Sequence, residues 1–208
     1  TLSIEYERFP EFLALEPDMI IHYNFINDLV DIITSAGDEH GMRTGFVGRL
    51  RHCAAYSIVL RKLLGKWFVP SVSQVDNQLY HFALTYIEKM NEICQQRGIT
   101  FVACSFAFPD IKNLSLLELR LFEQFSSNNY ITLLPKWYLE TIVDRYNNKL
   151  FSLCKDHQIL YMPIAESLAG GIDLFVDDCH LRVRGIEQKA TIIFGNISPY
   201  IEGRLALN

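Results

Sequence analysis

"EPDMIIHYNFINDL", residues 16–29, leads from a Pro17–Asp18 break into the unbroken apolar and aromatic run Met19 to Tyr23 and then into the polar pair Asn27–Asp28. A short run with no polar alternation fits a strand buried on both faces of a parallel sheet. Two more stretches read the same way: "ITFVACSFAFP" (99–109), closed by Pro109, and "QILYMPI" (158–164). Helical spacing fills the intervals. It is carried first by Ile4, Phe9, Phe12, Leu13 and Leu15, then by a stretch from about 78 to 97 that Gly98 stops. A short helix over 114–125 and a long one opened by Pro135 and running to about 156 follow, with a closing helix from Gly185 to about 201. Strands alternating with helices predict an α/β fold, a parallel sheet covered by helices on both faces. In such sheets ligands bind at the carboxyl ends of the strands. Asn27–Asp28 and the later acidic turn at Asp177 both fall there.

The chain has 208 residues, half of them hydrophobic, which supports one sizeable core and a single domain over 1–208. Its 24 acids outnumber 19 basic residues, so it lacks the cationic field that tracking a phosphate backbone requires, and nucleic acid is excluded as an expected partner. The five cysteines are odd in number, widely spaced and without a Cys-x-x-Cys pair, which suits reduced thiols better than a disulfide framework. No apolar run approaches the roughly 20 residues of a membrane span. The start at Thr1, without a basic-then-apolar leader, reads as a processed or truncated end.

"FVDDCHLRVRG", residues 175–185, carries the chemistry. A carboxylate three residues before an imidazole can accept its Nδ1 proton and leave Nε2 free as a base. Alone, the pattern is weak, because acids and histidines before helices more often serve as caps and solvated turns.

Taken with its surroundings the chain resembles the SGNH (GDSL) hydrolase family. The family's Gly-x-Asn-Asp block looks like Phe25-Ile26-Asn27-Asp28, its Asp-x-x-His-Leu block like Asp177 to Leu181 followed by Gly185, and its Tyr-Asn-x-x-Leu helix like Tyr146, Asn147 and Leu150. The resemblance implies a three-layer, flavodoxin-like sheet of order 2-1-3-4-5, with its first strands missing from this chain. It implies an ester hydrolase acting on a carboxylic ester, O-acetyl glycan or lipid esters included, without cofactor or metal. His180 would be the general base, Asp177 its orienting partner, and the Asn27 amide an oxyanion donor. Phe25, in place of the family's glycine, and Asp28 would border the substrate pocket. The family's Gly-Asp-Ser block is absent, so the nucleophilic serine and a strand covering the open edge at Met19 to Tyr23 are expected from an N-terminal complementary segment. Acyl transfer by the same triad, or a catalytically inactive binding or scaffold domain of the same fold, is the alternative.

Other residues carry weaker signals. Cys179 adjoins the histidine but reads as filler, because adjacent side chains usually diverge. The resemblance places Thr1 at a helix start remote from the base, Ser105 suits packing in the sheet or near the pocket, and His22 suits a satisfied core histidine. A metal reading gathers Asp177, Asp178, His180 and Glu166, without ligand spacing beyond one turn. Residues 37–80 form an expected helical insertion or lid. Its basic amphipathic stretch, 45–70, suits a solvated surface, a lid or contact with an anionic membrane.

Overall fold

The computed structural model describes residues 1–38, 70–125, 136–177 and 179–205. Its centre is a three-stranded parallel sheet of β1 (Met19–His22), β2 (Thr100–Cys104) and β3 (Leu160–Met162), in the order β1-β2-β3. Ile21 pairs with Val102, and Val102 with Leu160, so one face is in register across all three strands. Phe101 and Ala103 point into one core while Val102 and Cys104 point into the other. All four are buried, as the unbroken apolar run requires.

The first core gathers α1 (Leu2–Glu7), α2 (Phe9–Leu13), α3 (Ile26–Asp38), α4 (Val72–Leu79), α5 (Thr85–Gln96) and α7 (Lys136–Asp156). The second takes Phe122 of α6 (Leu116–Phe125), Ile164 of α8 (Ile164–Ser167), Leu174 and Phe175, with Ile192, Ile193 and Ile197 of α9 (Val183–Leu205) packed against them. Helices therefore cover both faces, and the expected α/β class holds. None of the helices among the described residues is long and apolar enough to cross a membrane.

Several boundaries differ from the sequence expectation. The sequence pattern does not announce the helix over 26–38, because Asn27, Asp28 and Gly37 lower its propensity, whereas Leu29, Ile32, Ile33 and Ala36 all face the core and hold it. The helix expected from about 78 begins at Val72, where a Ser71–Gln74 capping box starts it, and a π-helical turn at Tyr80–Leu84 joins it to α5. The first helical stretch breaks at Arg8, and Pro10 sits in the first turn of α2. Most of the expected 37–80 insertion, including its basic stretch, lies outside the described residues, as does Pro135.

Both crossovers enter their strands alike. Gly98 turns left-handed at φ 70° after α5 and Gln158 at φ 56° after α7, each followed by an isoleucine whose N–H reaches back to the helix, to Cys94 and Cys154 respectively.

Candidate active site

The turn at 176–180 is held at both ends. Phe175 and Leu181 form an antiparallel bridge, Val176 N–H donates to the His180 carbonyl at 2.7 Å, and Arg182 N–H donates to the Leu174 carbonyl at 2.7 Å. Phe175 is fully buried. Gly185 explains itself here: a Cβ there would lie 2.4 Å from the Leu174 carbonyl oxygen, so glycine lets the first turn of α9 press against the loop.

Inside this frame Asp177 Oδ1 accepts the backbone N–H groups of Cys179 (2.9 Å) and His180 (2.8 Å), which aims the carboxylate at the ring. His180 Nδ1 lies 2.7 Å from Oδ2 and 2.9 Å from Oδ1. Burial opposes ionisation of Asp177, but the two backbone donors and then the imidazole outweigh it and hold the carboxyl below its ordinary range. An ionised carboxylate only accepts, so Nδ1 is the protonated nitrogen and the neutral ring carries its lone pair on Nε2. The His180 side chain is 74% exposed and that of Asp177 17%, so the carboxylate is sheltered while the imidazole faces solvent. Nε2 has no hydrogen-bond partner among the described residues.

The other expected site residues divide. Asn27 lies in the first turn of α3, exposed, just past the carboxyl end of β1. The helix that leaves the 176–180 turn, α9, borders the same end beside Tyr23, the residue after β1, whose hydroxyl burial raises to about 12 against the opposing Ala107 N–H. Lys189 of α9 also stands over the Tyr23 ring, 3.2 Å from its centroid. Phe25 and Asp28, expected at the pocket, belong to the core instead. Phe25 is fully buried and stacked on Tyr146, with centroids 3.7 Å apart and planes 8° apart. Asp28 is buried and accepts the Leu2 N–H at 2.8 Å; burial, only partly offset by that donor, raises its carboxyl to about 6. Asp178 lies outside the described residues.

No model of a known protein family, no curated protein and no solved structure matches the chain.

Three further residues have roles that geometry makes plain. Asn147 donates to the Phe106 carbonyl and accepts its N–H, clamping the segment after β2. Ser105 is fully buried, donates to Glu166 at 2.6 Å and accepts from Ala165 N–H, while Tyr161 donates to the other Glu166 oxygen. Among the described residues Glu166 is not in the cluster that Asp177 forms with Cys179 and His180. Cys179 departs from expectation, since its Sγ lies 3.4 Å from His180 Nδ1 and 3.5 Å from Asp177 Oδ1. Adjacent side chains converge here because the Asp177 carboxylate pulls both residues around itself. Cys179 and Lys189 could not be found from sequence, because each acts through a neighbour that only the folded turn supplies.

Proposed function

We propose that this chain forms the base and oxyanion side of an SGNH-type serine ester hydrolase acting on carboxylic esters. The observation that carries the reading is the sheltered Asp177 holding the exposed His180 ring through Nδ1, with Nε2 turned to solvent, on the turn that leads into α9, whose Lys189 stands over Tyr23 just past the carboxyl end of β1. In that tautomer Nε2 takes a proton from a serine hydroxyl as the oxygen attacks the acyl carbon, then returns it to the leaving alkoxide. Asp177 stabilises the imidazolium formed between the two steps. The exposed Asn27 amide is the candidate donor to the tetrahedral oxyanion, a role worth about 3 kcal/mol of transition-state stabilisation. An acceptor alcohol in place of water turns the same steps into acyl transfer.

Sheet order supports the reading. The sequence β1-β2-β3 agrees with the 3-4-5 half of the 2-1-3-4-5 order, in which a further strand lies beside β1. Among the described residues β1 pairs only with β2, and a groove of about 390 Å³ follows its length, lined by Phe9, Phe12, Leu15, Ile20 and Ile21 among others. Its strand residues are mostly half-buried, whereas those of β2 are nearly all buried. The occupant proposed for that edge is an extended apolar segment that carries the serine. Helices already flank both sides of the position, α1 and α2 on one face and α9 on the other.

The test is fluorophosphonate labelling of the full-length natural protein, followed by peptide mapping. One adduct on a serine outside residues 1–208, lost in His180→Ala, is the expected result. Absence of any adduct from a folded protein overturns the proposal.

A further inference from the structure

The triad reading uses Asp177 and His180 and leaves the thiol between them unemployed. A carboxylate oxygen, the Cys179 sulfur and a His180 ring nitrogen lie within 4.8 Å of one another. An ion bound tetrahedrally at roughly 2.0–2.3 Å from oxygen, nitrogen and sulfur needs its ligand atoms about 3.3–3.8 Å apart. The separations Sγ to Nδ1, 3.4 Å, and Sγ to Oδ1, 3.5 Å, already meet that requirement. The separation of Nδ1 from that same Oδ1, 2.9 Å, is shorter because the ring N–H donates to the carboxylate. An ion in place of that proton requires the gap to open by somewhat under about 1 Å. A ring that is 74% exposed has room for that movement, while the two backbone N–H groups keep the carboxylate in position.

We propose that Asp177, Cys179 and His180 form a binding site for a borderline divalent cation of the Zn²⁺ type, and that its occupancy switches off the base. The binding half stands alone; the switching half rests on the hydrolase reading. One oxygen, one nitrogen and one sulfur donor select zinc over magnesium or calcium, which take oxygen ligands. Three protein ligands leave a fourth position for water. The proton balance is simple. Asp177 binds as the carboxylate it already is, the Cys179 thiol gives its proton to solvent, and the neutral imidazole keeps one proton, moved from Nδ1 to Nε2. Each ion bound therefore releases one proton, and the lone pair on Nε2 that would receive the serine proton is lost.

Titration of the full-length protein with Co²⁺ tests binding directly. The expected result is one equivalent giving a thiolate-to-metal charge-transfer band and tetrahedral visible bands, displaced by Zn²⁺ but not by Mg²⁺. Cys179→Ser, Cys179→Ala and His180→Ala should each lower Zn²⁺ affinity by more than about 100-fold, since removing a ligand exceeds the effect of removing its supporting partner. Cys53→Ser, which alters a thiol next to His52 and outside the described residues, should keep wild-type affinity. Wild-type protein without the bands, or bands that survive in both Cys179 variants, overturns the site. Fluorophosphonate labelling with and without Zn²⁺ then tests the switch: the ratio of the two rates should fall at least about tenfold in wild-type protein and stay near one in Cys179→Ser. Metal bands in a protein that never labels would uphold the site and overturn the switch together with the hydrolase reading.

Discussion

Two histidine–carboxylate pairs in this molecule share their chemistry and little else. His22 is buried at the end of β1, its Nε2 is 3.0 Å from Glu5, and its ring stacks on Phe101. Glu5 also accepts from the Asn24 amide. His180 uses Nδ1 instead, on a turn with no ring neighbour among the described residues, and its other nitrogen meets solvent. The difference teaches that a carboxylate beside an imidazole says nothing of catalysis until it is known which nitrogen is engaged and where the other one points. In the first pair the partner locks a core side chain. In the second it leaves the far ring nitrogen open to solvent, as the proposed base requires.

The largest effects should appear where the second pair is cut. His180→Ala and Asp177→Asn should each reduce fluorophosphonate labelling of the full-length protein by roughly 10³–10⁴-fold, the second because an amide lets the ring adopt the wrong tautomer. His180→Ala should move the urea midpoint hardly at all, because surface changes stay within about 0.5 kcal/mol. His22→Ala reverses the pattern. It removes a buried ring and one of the two side-chain hydrogen bonds to Glu5, so chemical denaturation should show a loss of about 1–3 kcal/mol. A labelling defect in His22→Ala larger than its loss of folded protein would break the comparison.

Smaller effects sharpen it through pH. Asp28 is an acid whose folded pKa is raised from 3.8 to about 6, so the usual sign for an aspartate reverses. The folded state keeps the proton that the unfolded chain releases, and the contribution present below 3.8 is lost as pH rises through about 6. Asp28→Asn should therefore gain about 1–3 kcal/mol on wild type between pH 3.5 and pH 7.5, measured by urea midpoints at both values. Glu5 has the opposite sign. Burial raises its pKa, but the hydrogen bonds from His22 and Asn24 outweigh this and hold it below 4.5, so its contribution is present above 4.5 and fades as pH falls through the folded value. Glu5→Gln should cost about 0.5–1.5 kcal/mol at pH 7 and less in acid, as the same denaturation series at descending pH would record.

Local pattern determined a good part of this molecule. The apolar runs around Ile20, Val102 and Tyr161 are strands in a parallel sheet, because a strand covered on both faces has no polar alternation to preserve. The spacing of Asp177 and His180 brought them together, because three residues of turn span one hydrogen bond. Tertiary structure decided what depends on distant neighbours. Phe25, next to the polar pair in the chain, turns inward because Tyr146 offers it a stacking surface, and Asp28 follows it because the Leu2 N–H waits there. Cys179 joins the dyad only because the bridge between Phe175 and Leu181 closes the loop around one carboxylate. Residue type and spacing encode contacts within a turn. Which way a side chain faces, and how wet it is, depends on what the rest of the chain places beside it.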